Sequence, residues 1–502
     1  MHPTKSLQQL RERLHEIADL NKVIGLLQWD QETYMPPGGT QGRGYQLETL
    51  VRISHVKFTS PEIGDLLSDL EPYIASLDPD CDDARLIKVT RRLYNKKVKV
   101  PSELVAAFAR ATSEAHLVWE KAKREANFSP FRPKLEGIVD LRRQYAYCFA
   151  PYDHVYDPLL DDFEPGLKTA DVQAIFAVLR PQQVELIQAI AAQPNVDDSF
   201  LHQFYDIEKQ RQFGEEVITR FGFDWERGRQ DISTHPFTQD MGIGDVRITT
   251  RFLPDYVASA LFSSTHESGH ALYIMGIDPG LDRTPLAAGA SLAIHESQSR
   301  LYENLVARSR DFWVYYYPRL QSLFPAQLGN VSLDEFYKAI NKVSPSLIRV
   351  EADEATYNLH VMLRLELEIA LMEGSLEVRD LPEAWNEKMQ AYLGVQPTND
   401  AEGVLQDIHW AHGHIGYFST YALGNLISVQ LWERMLSDLP DLTEQIRRGE
   451  FEALTGWMRE QVHCHGAKFE PQELVQRVTG QKINPAPYLH YLKKKYGEIY
   501  QL

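Results

Sequence analysis

A chain of 502 residues is longer than one compact core usually holds, so either several domains or one large helical enclosure is expected. Its 52 Lys and Arg against 70 Asp and Glu give a formal charge of −18, which repels nucleic acid and anionic membrane surfaces. With 43% hydrophobic and 24% charged residues, wholesale disorder is excluded.

In the opening segment Leu7, Leu10, Leu14, Ile17 and Leu20 fall at helical spacing with charges between them. The pattern returns in most later windows and predicts a mainly α fold. The N-terminus has no apolar h-region or small-residue cleavage site, and no later stretch approaches about eighteen uncharged apolar residues. Neither secretion by that route nor a membrane span is expected. Pro36-Pro37-Gly38-Gly39 marks an early loop, and further breaks are expected near Pro101, Pro130 to Pro133, Pro151 to Pro165, Pro279-Gly280 and Pro382. None is long enough for a flexible interdomain linker. Cys81, Cys148 and Cys464 lie far apart without CxxC spacing, so a cytoplasmic protein without a disulfide framework or a cysteine zinc site is expected.

The exception to helix is Asp245 to Phe252, where Val246, Ile248, Thr250 and Phe252 alternate with Arg247, Thr249 and Arg251 and predict one strand of a small sheet. Next comes Thr265-His266-Glu267-Ser268-Gly269-His270. His266 and His270, four apart, project from one face of a helix and can bind a single metal ion, with Glu267 one step round beside the open coordination position. Pro254 suits the first turn of that helix and Gly276 its end. The alternative is two unrelated helix histidines.

A catalytic zinc site needs a third protein ligand and a vacancy for water. Ser291 to Arg300 reads as a second helix, joined to the first through the Pro279-Gly280 turn, and its ionisable pair would be costly to bury without a partner. Glu296 is the expected third ligand, with His295 the runner-up or a hydrogen-bonding neighbour of the site. The aromatic run Phe312 to Tyr317 reads as helix packing or a subunit contact rather than a cofactor box. Ten of the 17 histidines lie between His235 and His465, which directs attention to that half of the chain.

Two further segments suit a polar cavity: Ile348 to Asp353, and Gly403 to Trp410 followed by Gly416 to Tyr421. With HPF at 235–237, DVRIT at 245–249, HESGH at 266–270, HESQ at 295–298, IRVEAD at 348–353 and GVLQDIHW at 403–410, the chain resembles the Taq-type thermostable metallocarboxypeptidases in order and spacing. The likeness extends to Leu26 through Gly39 and to Gly416 through Asn425.

The resemblance implies an almost all-helical, two-lobed protein with a deep central groove, a small β-sheet at its wall, and a homodimer. It implies one catalytic unit over 1–502: helices of roughly 1–230 forming one groove wall, 231–430 carrying the metal site and substrate motifs, and C-terminal helices over 431–502. It also implies peptide substrates, cleaved at the C-terminal bond with broad specificity and proline disfavoured.

The mechanism expected from these residues is metal-assisted hydrolysis, with His266, His270 and Glu296 holding one divalent ion and Glu267 as general base and then acid. Three N/O ligands accommodate Zn2+, Co2+ or Mn2+, with Zn2+ the default. For the substrate's terminal carboxylate Arg349 is the candidate, because a planar guanidinium offers paired charge-assisted hydrogen bonds. Arg247 is its rival, and pairing of Arg349 with Glu351 or Asp353 is the structural alternative. His235, His409, Tyr417 and Tyr421 are candidate donors to a developing oxyanion. The resemblance favours His409 and Tyr421 on the substrate side, and Asp407 reads as an orienting residue. The competing functions are an oligopeptidase with the same metal core and a non-catalytic scaffold retaining a structural metal.

Overall fold

The periodicity of the opening segment is realised in α1 (Pro3–Thr33), which buries Leu7, Leu10, Leu14 and Ile17 along one stripe in a computed structural model that describes residues 3–502. After the Pro-Pro-Gly-Gly loop the chain reverses into α2 (Thr40–Phe58). These helices share an apolar core with Ile63, Leu66, Leu86 and Ile87, separate from the larger core built by the helices from Ala115 onward. The two cores are the two lobes of a mainly α fold. The smaller one also takes Ile277, Leu281 and Leu286, so the segment leaving the His266 helix crosses from one lobe to the other.

The sheet has three strands, β1 (Gly228–Ile232), β2 (Thr238–Asp240) and β3 (Val246–Thr250), in the order β1-β3-β2. The central strand pairs parallel with β1 and antiparallel with β2, which sets Thr238 opposite Ile248. β3 is shorter than the expected alternation and stops at Thr250. Thr249 is buried rather than outward, because its hydroxyl bonds Ser233 and receives the Phe237 amide. Val246 and Ile248 pack on Ala271, Ile274 and Met275, so the sheet lies against the back of the His266 helix.

That helix, α3 (Val257–Gly276), starts three residues after Pro254 rather than on it and ends at Gly276. The chain returns through the Pro279–Leu281 turn into α4 (Leu292–Arg300), whose N-terminus is capped by the Ser291 hydroxyl on the Ile294 amide. α4 runs on as a π-helical stretch over Leu301–Ala307. Two further helices face the site, α5 (Glu354–Glu373), capped by Asp353, and α6 (Ser419–Asp438). In the aromatic run Phe312, Trp313, Tyr316 and Tyr317 are buried, which is helix packing at i, i+1, i+4, i+5. Among the described residues no helix is long and apolar enough to cross a membrane.

Candidate metal centre

α3 and α4 approach closely because Gly269 has no side chain: a Cβ there would lie 2.7 Å from the Gln298 carbonyl oxygen and the Ser299 Cα. Gly424 of α6 does the same on the far side, where a Cβ would stand 2.7 Å from Cβ and Cγ of Glu296. Glu296 is thus wedged between helices and aimed at the imidazoles of α3. Its Oε2 lies 3.7 Å from His266 Nε2 and 3.5 Å from His270 Nε2.

Two ligand atoms on one tetrahedral zinc are about 3.3 Å apart, so this triangle needs only a slight contraction to close on an ion. His266, His270 and Glu296 all offer ligand atoms within 4.8 Å of one another, a donor set that fits a divalent metal.

The neighbours fix which nitrogens face that point. His266 Nδ1 lies 2.9 Å from Glu303 Oε2, so the ring donates there and keeps the Nε2 lone pair free. His270 Nδ1 lies 2.6 Å from His295 Nδ1; with Nε2 of His270 as a ligand atom, the shared proton sits on His270 and His295 accepts. Burial, then the neighbouring His270, pushes His295 down to about 3, so it stays neutral. His295 thus stands beside the site as a hydrogen-bonding partner.

On the other side Arg300 Nε donates to Glu296 Oε1 at 2.7 Å, while Ser299 Oγ, 2.7 Å from the Glu296 carbonyl oxygen, stands 3.2 Å from Oε2. Burial opposes ionisation of Glu296, but Arg300 and the two histidines outweigh it and hold the carboxyl well below its usual range. Glu303 is likewise brought down to about 2, burial being overcome by Arg300 and His266. These carboxylates, against burial, raise His266, so a proton is the natural competitor of a metal at this imidazole. Glu303 and Arg300 were not among the expected site residues. Their spacing of i, i+4, i+7 from Glu296 is the signal that could have found them, although the π-helical stretch that swings Glu303 onto His266 leaves no mark in the sequence.

Glu267 is 5% exposed and its Oε2 accepts a 2.6 Å hydrogen bond from Thr238 Oγ1 of β2. Its charge acts on His266.

Arg349 is buried, and its partner is neither Glu351 nor Asp353. Nε and Nη2 donate to Asp407 Oδ1 at 3.1 and 2.8 Å, and Nη1 donates to the Tyr357 hydroxyl at 2.8 Å. The other oxygen of Asp407 accepts from Arg364 Nε at 2.7 Å, and Gln406 Oε1 binds both the Arg349 amide and Arg364. Asp407 is held well below the usual carboxylate range because the two guanidiniums outweigh its burial. Two arginines share one carboxylate, which leaves a net positive charge in a low-dielectric place.

His409, Tyr417 and Tyr421 are packed together: His409 Nε2 lies 3.3 Å from the Tyr421 hydroxyl, and Tyr417 and Tyr421 have ring centroids 5.3 Å apart. The Arg349 guanidinium lies 4.9 Å from the Tyr421 ring. Burial pushes both tyrosines up, and each also feels the charges of Glu296 and Arg349. Burial brings His409 down to about 3, so its ring is neutral.

His235 is exposed in the loop between β1 and β2, and among the described residues its ring makes no hydrogen bond. Arg247 pairs with its near neighbour Asp245 at 2.8 Å and lies 4.4 Å from the Trp29 ring, so it ties β3 to α1.

A family model described as carboxypeptidase Taq (M32) metallopeptidase matches residues 9–496. The chain is 42% identical over 510 residues to thermostable carboxypeptidase 1 of Thermus thermophilus, covering 100% of each. It is 37% identical over 490 residues to carboxypeptidase 1 of Bacillus subtilis, covering 97% of each. Among solved structures, the M32 carboxypeptidase from Deinococcus radiodurans R1 superposes with a TM-score of 0.96 at 40% identity, over 99% of this chain and 100% of that one.

Proposed function

Since this chain belongs to the carboxypeptidase Taq (M32) metallopeptidase family and is a metallocarboxypeptidase, we propose that His266, His270 and Glu296 hold its metal and Glu267 moves its protons. The observation that carries the reading is the convergence of both Nε2 atoms on Glu296 Oε2, with every other polar side-chain atom of the triad already engaged by Glu303, His295 and Arg300. When bound, a divalent ion supplies Lewis acidity to water and to the scissile carbonyl.

Glu267 takes the proton of the attacking water and passes it to the leaving amine. Tyr417, Tyr421 and His409 line the path from the triad to Arg349, and a hydroxyl or neutral imidazole there donates to the developing oxyanion. His235, exposed in the loop between β1 and β2, is kept as a further candidate substrate contact. Arg349 receives the substrate's terminal carboxylate, supported by the uncompensated positive charge of the Arg349, Asp407 and Arg364 cluster.

We assign to this site broad preference at the C-terminal side chain with proline disfavoured, and zinc ahead of cobalt and manganese. The whole chain forms the catalytic unit, as a homodimer in the cytoplasm. Three free cysteines support the reducing compartment, and the family resemblance supports the dimer.

The experiment is Glu267→Gln, which keeps the side chain's shape and its acceptor for Thr238 but cannot carry a proton. Turnover should fall by at least about a thousandfold with one metal ion per chain retained. Activity within tenfold of the parent would remove Glu267 from the mechanism.

A further inference from the structure

The Glu267 side chain ends in a carboxylate, and three rotatable bonds separate that carboxylate from α3. Left alone it would sample several rotamers, and only some of them place an oxygen where a water proton can be taken. Among the described residues one side chain holds it: Thr238 Oγ1, 2.6 Å from Oε2, the length of a charge-assisted O–H to carboxylate bond. A longer arm of the same contact, 3.1 Å, reaches the Glu267 carbonyl oxygen. A hydroxyl has one proton, and the shorter arm to the charged oxygen takes it.

Thr238 is itself fixed from two sides. Its strand β2 pairs with β3. On the outer edge β2 is braced by α1, through the ion pair of Lys22 Nζ with Asp240 at 2.5 Å and through Gly25, where a Cβ would meet the Gln239 amide at 2.8 Å. The hydroxyl is therefore presented by a braced strand rather than by a free loop.

We propose that Thr238 is a positioning residue for the peptidase reaction: its hydroxyl occupies Oε2 of Glu267 and sets the rotamer in which Oε1, which has no donor among the described residues, is the oxygen that takes and returns the proton. This rests on the assignment of Glu267 as the proton carrier. A misplacement of the order of 1 Å in such a group costs up to about a hundredfold in rate without a matching change in substrate binding.

The test is Thr238→Val beside Thr238→Ser, assayed on a free-acid peptide with the metal-loaded enzyme, together with metal content and thermal midpoint. Valine keeps the shape and suits a strand, so β2 should persist. Thr238→Val should lower kcat by roughly ten- to hundredfold with KM within about twofold, and Thr238→Ser should stay within about threefold of the parent. A kcat for Thr238→Val within twofold of the parent overturns the proposal. So does Thr238→Ser falling as far as Thr238→Val, which would make the methyl group rather than the hydroxyl responsible.

If Thr238→Val folds poorly, Thr238→Ala removes the hydroxyl without filling its place and is read by the same criteria. Failure of the underlying assignment looks different: there Glu267→Gln itself keeps its activity, whatever the Thr238 variants do.

Discussion

Arg349 has five N–H groups, and Asp407 and Tyr357 use three of them, leaving one on each terminal nitrogen. Those two remain free to bind a carboxylate through charge-assisted hydrogen bonds. Arg349→Ala should therefore raise KM for a free-acid peptide by about a hundredfold and erase the preference over the C-terminally amidated peptide, since charged hydrogen bonds contribute about 1.5 to 3 kcal/mol each. Asp407 keeps Arg364 in that variant, so the protein should remain folded; an unchanged free-acid to amide ratio would return Arg349 to a purely structural role. The arginine was legible from its motif, but its partner was not. Asp407 lies 58 residues away, while the nearby acids have other work: Asp353 caps α5 and Glu351 is exposed. Arg364 was missed, although a charge inside the apolar run of α5 is a signal that it must be paired when buried.

At the scale of elements, the site depends on how closely α3 and α4 run. Gly269→Ala would put a methyl group against backbone, which cannot rotate away, so the helices must separate. Metal affinity should fall at least about tenfold and the thermal midpoint should drop by several degrees, measured by metal titration and calorimetry; unchanged affinity would mean that the triad tolerates the shift. α4 is also anchored at its start by Glu164, fully buried, whose Oε1 accepts from the Ala293 amide at 2.6 Å while Oε2 makes no hydrogen bond among the described residues. Burial raises this carboxyl from 4.5 to about 8. The folded state thus binds the proton more tightly than the unfolded chain, so the group's contribution to stability is complete below about pH 4.5 and is lost as pH rises through about 8. In Glu164→Gln the fall in thermal midpoint between pH 5 and 9 should be shallower than in the parent; parallel curves would show that Glu164 does not titrate in that range. Both helices and β3 were legible, because their apolar residues keep period 3.6 or 2. β1 and β2, with the sequences GRQDI and TQD, are too short and polar to show a period, and Thr238 was invisible with them.

For the whole molecule, periodicity pointed to a mainly helical chain and length left several domains or one large helical enclosure open, while the division into lobes came from the family resemblance alone. Helices of both lobes have the same periodicity, and the boundary is drawn by a few side chains that cross it, Ile277, Leu281 and Leu286 toward the small core and Lys22 toward β2. These crossings tie the N-terminal lobe to the sheet behind α3 and to the segment that leaves α3. Metal-assisted hydrolysis of the bond next to a free C-terminus is what the proposed function requires of the site. The direct measurement is mass-spectrometric product analysis of purified, metal-reconstituted protein on a mid-length peptide, beside its C-terminally amidated twin and a chelator-treated control. Single residues leaving the C-terminus of the free acid only, and none after chelation, is the predicted result. Internal cleavage of the amidated peptide at a similar rate would contradict it, and would make the protein an oligopeptidase in which Arg349 reads no terminus.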